Sequence, residues 1–164
     1  MFIHKDIKYT VIRDVNLVST PDCKVENLWL KIELDKEDVI LGGIYRHPNK
    51  NIRNFTNQLE NILSGFRSNQ TVIITGDINI DFLKFAKNND IKRHLDMLIS
   101  NGFSPVILSP TRISEQTQTL IDHVYIRYSH SLLQNSHQIE AGNILTTISD
   151  RFSNVLLITV PKTQ

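Results

Sequence analysis

The stretch Thr71-Val-Ile-Ile-Thr-Gly-Asp-Ile-Asn-Ile-Asp81 brings an acid and an amide to the end of an apolar run. The β-branched residues Val72, Ile73 and Ile74 read as a buried strand. Gly76 stops that strand and lets the backbone turn sharply. Asp77 and Asn79 follow at the mouth of the turn. A carboxylate and an amide fixed there suit a metal, a water or a phosphate. Gly, Asp and Asn are also ordinary turn residues, so the local pattern equally describes a turn without a ligand.

Asp122 and Asp150 stand in comparable settings, each beside a turn or a short polar patch near a strand end. Asp122 lies in an apolar run between Ile121 and Val124, where a buried carboxylate must be paired, hydrogen-bonded or metal-bound. The alternative is an edge strand with Asp122 facing water. Three acids from separate segments can converge on one hard cation, and oxygen ligands with retained water suit Mg²⁺. No Cys/His spacing indicates zinc. The histidines at 4, 47, 94, 123, 130 and 137 form no ligand pair at helical spacing and read as surface or packing residues. There is no P-loop and no dinucleotide fingerprint.

The elements that must position these residues are legible from periodicity. Ile7 to Ile12 alternates, with Ile7, Tyr9 and Val11 on one face of a half-buried strand. Leu28, Leu30, Ile32 and Leu34 make a second strand with Trp29 on its other face, and the charged turn at 35–38 leads into a third strand over 39–45. Gly42 and Gly43 inside that strand suggest a bulge or a close approach of another backbone. Ile52, Phe55, Leu59, Ile62, Leu63 and Phe66 form one helical stripe. The strand at 71–75 follows. A second helix is predicted over about 90–100, with Ile91, Leu95, Leu98 and Ile99 inward and Asn101-Gly102 as its stop. Strands are predicted at 103–108, 119–126 and 155–160, with 129–142 polar and irregular. Strand blocks separated by two helices favour a layered α+β protein. No repeat, low-complexity tract or linker divides the chain, which reads as a single domain over 1–164.

Composition sets the remaining bounds. The chain has 164 residues, 40% of them hydrophobic, enough for one domain with a sizeable core. Lys+Arg is 18 against 17 for Asp+Glu, a net charge of +1, so any basic surface for nucleic acid must be local. The single cysteine, Cys23, excludes an intrachain disulfide and reads as an ordinary buried thiol. No apolar run is long enough to span a membrane, and the first residues lack the apolar core of a signal peptide. The default expectation is a nuclear or cytoplasmic protein that is not secreted.

Taken in order, Ile44-Tyr-Arg-His-Pro48, Gly76-Asp-Ile-Asn79, Leu120-Ile-Asp-His-Val124 and Ile148-Ser-Asp-Arg151 resemble the endonuclease/exonuclease/phosphatase (DNase-I-like) superfamily. The nearest likeness is to the endonuclease domain of non-LTR, LINE-type retrotransposons, which Asn101-Gly-Phe103 and Ser109-Pro-Thr-Arg112 also resemble. The likeness covers nearly the whole chain. It implies an α/β fold of four layers, two mixed sheets face to face with helices outside, and a Mg²⁺- or Mn²⁺-dependent phosphodiesterase acting on DNA or other nucleic acid. By position, it implies that Tyr45 hydrogen-bonds the scissile phosphate and Asp77 orients or activates water. Asn79 would hold that water or a phosphate oxygen, and Asp122 would support the constellation. Thr111 would line the phosphate pocket, and Asp150 would bind metal, with Asp77, or orient the residue that follows it. Arg46, Arg112 and Arg151 would be phosphate contacts.

Two departures stand against the pattern. The family's Ser-Asp-His ends here in Arg151, which supplies charge but no exchangeable proton near neutral pH. The family's early Asn and metal-binding Glu have no counterpart before Tyr45, and Glu26 and Glu33 read as solvent-facing. The resemblance thus predicts weak metal binding and a domain lacking its first third. The resulting bare sheet edge would be covered by a second copy or a partner chain. Three functions fit: a weakened nuclease, an inert nucleic-acid- or protein-binding descendant, and a phosphatase for a small or lipid substrate.

Overall fold

A computed structural model describes residues 1–34, 38–129, 138–145 and 152–159. Its main sheet has six strands in the order β1-β2-β3-β4-β8-β5. The strands are β1 (Tyr9–Ile12), β2 (Val25–Glu33), β3 (Asp38–Arg46), β4 (Thr71–Asp77), β8 (Asp122–Arg127) and β5 (Ser104–Pro105). Only β3 and β4 run parallel. A parallel pair cannot be joined by a tight turn, and α1 (Ile52–Gly65) makes the crossover. Helix α2 (Asn89–Ser100) follows a 3₁₀ turn at Phe82–Lys87. Among the described residues outside the main sheet, β6 (Arg112–Ile113) pairs antiparallel with β7 (Gln118–Thr119), and β9 (Gln138–Leu145) with β10 (Phe152–Thr159).

The core forms because alternation along the strands meets the helical stripe. Trp29, Ile40, Ile44, Val72 and Ile74 point to the face that receives Phe55, Leu59 and Leu63 of α1 and Leu98 of α2. Asn51 caps α1 by accepting from the Asn54 amide, and Asn88 caps α2 through Asp90 and Ile91. The mixed α/β class expected from the sequence is the one observed. Cys23 is fully buried, as expected.

Several local expectations need correction. There is no bulge in the β2–β3 register at Gly42. What approaches is a side chain: a Cβ on Gly42 would lie 2.5 Å from the Trp29 indole of its cross-strand partner. In α2 the inward residues are Ile91, His94, Met97 and Leu98, whereas Ile99 is 58% exposed. The strand predicted over 103–108 shortens to two residues, and β9 begins inside the region predicted to be irregular. Tyr9 and Val11 are exposed on the sheet face opposite the helices. No helix among the described residues is long and apolar enough to cross a membrane.

Candidate functional site

Of the predicted site residues, Tyr45, Asp77 and Asp122 come from three adjacent strands. Gly43 of β3 pairs with Thr75 of β4, and Asp77 of β4 pairs with Asp122 of β8. Tyr45 and Asp77 each lie two residues beyond the Gly43–Thr75 pair. Side chains alternate with a period of two, so both share a face with Asp122 at the same end of the sheet. Tyr45 is 38% exposed, and Asp77, Asn79 and Asp122 are half-buried. The carboxyl ends of β3 and β4 meet the amino end of β8 there, a usual location for a ligand crevice in an α/β sheet.

Gly76 makes this junction possible. Its φ is 147°, and a Cβ would lie 1.8 Å from the Ile44 carbonyl oxygen of β3. Asn79, two residues past the strand end, has φ 53°, a left-handed conformation that asparagine tolerates better than most residues. The amides of Ile78 and Asn79 both donate to the Ile121 carbonyl, at 2.9 and 3.3 Å. This ties the Asn79 turn to the residue before Asp122.

Thr111 and Arg46 sit differently from what the sequence suggested. Thr111 is fully buried, and its hydroxyl oxygen accepts from the amides of Ile121 and Asp122, both at 3.2 Å. It shapes the backbone beneath Asp122 and does not line an open pocket. Arg46 is 1% exposed. Its Nη1 donates to the carbonyls of Ile78 at 3.2 Å and Asn79 at 3.1 Å, and its Nη2 to the carbonyl of Lys50. Side chains alternate, so Arg46 points into the core while Tyr45 points away from it. A surface phosphate contact is therefore not available to Arg46 in this arrangement. Arg112 is exposed on β6, beside Thr111. Asp150 and Arg151 lie outside the described residues.

Three further residues support the site without having been assigned a role in it from the sequence. The Asp81 Oδ1 accepts from the amides of Leu83 and Leu120, holding the 3₁₀ turn to the segment leading into β8. His47 packs against Tyr45, with ring centroids 4.9 Å apart, and its Nε2 lies 3.6 Å from Glu26. His123, adjacent to Asp122 but on the opposite face, donates from Nε2 to the Ile80 carbonyl at 2.8 Å. Alternation around Asp122 was the available signal for that burial. His123 belongs to an aromatic cluster with Phe82, Tyr125 and His94. Burial holds both imidazoles neutral, with pKa values lowered to about 4 for His123 and about 3 for His94.

The opposed carboxylates of Asp77 and Asp122 bear on a metal. Like charges directly across a ladder repel, and a hard cation relieves that repulsion. One or two carboxylates, completed by water and substrate phosphate, suffice for Mg²⁺. Among the described residues no group of three or more His, Cys, Asp or Glu is arranged to hold an ion. Asp77 and Asp122 are the described acids that could contribute to such an ion.

The family described as endonuclease-reverse transcriptase matches residues 39–157. No curated protein matches the sequence. Among solved structures, the endonuclease domain of TRAS1, a telomere-specific non-LTR retrotransposon, superposes with a TM-score of 0.69 at 15% identity, covering 93% of this chain and 67% of that one. An endonuclease/exonuclease/phosphatase family protein from Leptotrichia buccalis C-1013-b has a TM-score of 0.57 at 13% identity, covering 95% and 62%. D. rerio TDP2, complexed with single strand DNA product, has a TM-score of 0.55 at 11% identity, covering 88% and 62%. At these identities the likeness is one of fold. The chain spans 62–67% of the lengths of these three structures.

Proposed function

Since this chain belongs to the endonuclease-reverse transcriptase family, we propose that it is a divalent-metal-dependent phosphodiester hydrolase of the retrotransposon endonuclease type, acting on nucleic acid with weakened activity. Family and fold together support a nuclease-type hydrolase. The observation that carries the reading is the row Tyr45–Asp77–Asp122 across β3, β4 and β8, with Asn79 at its end.

In this reading Tyr45 donates its phenolic hydrogen to a non-bridging oxygen of the scissile phosphate. Asp77 accepts a hydrogen bond from the attacking water and orients it. Asn79 holds that water or a phosphate oxygen through its amide. Asp122, fixed from below by Thr111, keeps Asp77 and the ligand in register. Asp77, Asp122 and Asp150 would hold Mg²⁺ or Mn²⁺, which supplies positive charge where negative charge develops on phosphorus oxygens. Arg112 and Arg151 would contact flanking phosphates, with a salt dependence reflecting each neutralised charge. In the sequence Arg151 takes the position of the family's histidine, and a proton-transferring group is worth a factor of about 10²–10⁴. That substitution is also the observation favouring the second reading, an inert nucleic-acid-binding domain.

Nicking of supercoiled plasmid with Mg²⁺ or Mn²⁺ tests both readings. Wild type is expected to nick slowly, Asp77→Ala to lose nicking, and Arg151→His to gain it. Efficient nicking unaffected by Asp77→Ala would remove the site assignment. Binding without nicking in every variant would establish the inert reading.

A further inference from the structure

We infer that Arg46 is a positioning residue that clamps the Asn79 turn against the strand bearing Tyr45. The inference rests on the site proposed above. Its physical basis is reciprocal. The Arg46 guanidinium donates to the Asn79 carbonyl at 3.1 Å, while the Asn79 side-chain Nδ2 donates to the Arg46 carbonyl at 2.7 Å. Each residue thus holds the other's backbone with its own side chain. The same guanidinium also binds the carbonyls of Ile78 and Lys50, joining the turn after β4 to the loop between β3 and α1. The Phe55 ring of α1 lies against it, 5.8 Å from centroid to guanidinium carbon.

A buried guanidinium is a costly way to fill space, because its charge must be taken out of water. An apolar residue would fill the volume more cheaply but would leave three backbone carbonyls without donors. What the guanidinium adds is geometry. Its planar fork reaches several acceptors at fixed angles, which a lysine ammonium on a flexible stem does not reproduce. The result concerns Asn79 directly. Its backbone is left-handed, its amide is tied to Ile121, and one side-chain hydrogen is committed to the Arg46 carbonyl. Oδ1 and the second amide hydrogen remain for a ligand, oriented relative to Tyr45 one residue before the clamp.

The test uses the full chain and two readouts. The first is hydrogen exchange at the Asn79 side-chain amide by ¹⁵N–¹H NMR. The second is nicking, separated into kcat and KM, in wild type, Arg46→Lys and Arg46→Met. The wild-type amide should be protected. Arg46→Lys keeps the charge and should remain folded, with exchange faster by at least about tenfold. Its kcat should fall about 10–10²-fold with KM within about twofold, the split expected when alignment is lost and binding is not. Protection unchanged in both variants, or an unprotected amide in wild type, overturns the clamp whatever happens to folding. A kcat loss with the amide still protected also overturns it. If wild type does not nick but exchange accelerates only in the Arg46 variants, the clamp stands and the hydrolase reading fails.

Discussion

Asp77 and Asp122 stand directly opposite each other as the last pair of the antiparallel β4–β8 ladder. Side chains so paired have Cβ atoms about 4.5–5.5 Å apart, and like charges there cost stability.

Removing one of the two charges is therefore expected to separate stability from function. Asp77→Asn should stabilise the protein in chelator by about 0.2–1 kcal/mol while abolishing nicking. Mg²⁺ should raise the denaturation midpoint of wild type more than that of the variant, since a ligand that binds only the folded state stabilises it by mass action. Urea denaturation with and without Mg²⁺ checks both. Equal metal shifts in the two proteins would remove Asp77 from the ion's surroundings.

Thr111 should matter through Asp122. Its hydroxyl oxygen accepts from two partly buried amides. Thr111→Val keeps the shape and leaves both amides without that acceptor, at about 1–3 kcal/mol for each group left unsatisfied. Thr111→Ser retains the oxygen and should recover most of the loss. Denaturation midpoints of the three proteins, with nicking rates in the folded fraction, make the comparison. Equal stability of the Val and wild-type proteins would contradict it.

Gly76→Ala should be among the most damaging single changes. The Cβ meets the Ile44 carbonyl oxygen, a backbone atom that cannot move aside without parting β3 from β4. A loss of about 2–4 kcal/mol is expected. Gly65→Ala serves as the control, because no atom lies within 4 Å of a Cβ there. Similar thermal midpoints for the two variants would refute the packing argument.

Acid should destabilise the fold through His94 and His123. The Thr56 hydroxyl donates to the Ile52 carbonyl, so its oxygen accepts from Nδ1–H of His94, at 3.0 Å. His123 donates from Nε2. The remaining ring nitrogens, His94 Nε2 and His123 Nδ1, are buried acceptors without a hydrogen-bond partner among the described residues. A proton on either would be an unpaired buried charge. The folded pKa values, about 3 and about 4, lie below the unfolded value of 6.5. Above pH 6.5 both states are neutral and nothing is lost. Below it the unfolded chain binds protons that the folded chain refuses, so stability falls until the folded pKa values are reached. At pH 5 the loss is about 2 kcal/mol for each histidine. Urea midpoints from pH 8 to 5 should fall less steeply in His123→Gln than in wild type. A parallel slope would sink the assignment.

Periodicity along the chain was sufficient for the two helices and the central strands, because each depends on residues near one another in sequence. Residue type at strand ends marked Asp77, Asn79 and Asp122 as candidates, whereas Tyr45 and the order of the motifs came from the resemblance. Residue type at a strand end is a local property. Arg46 shows where locality stops. An arginine after a site tyrosine reads as a phosphate contact, but the pleat sends it inward, and its acceptors are carbonyls 4 to 33 residues away along the chain. Thr111, expected from the resemblance to line a phosphate pocket, is buried with its hydroxyl on the Ile121 and Asp122 amides, contacts made by segments ten or more residues apart. His94 and His123 were legible only as packing residues; their protonation depends on what surrounds both ring nitrogens.

The sequence by itself determined the alternation, the turn at Gly76 and the supply of carboxylates. These follow from backbone sterics and side-chain chemistry that a short segment already contains. Only the tertiary structure decided that Asp77 meets Asp122, that Arg46 grips Asn79, and which histidine nitrogens go without partners. Such facts depend on strand register and on the approach of distant segments, where a shift of one residue would turn each side chain to the other face.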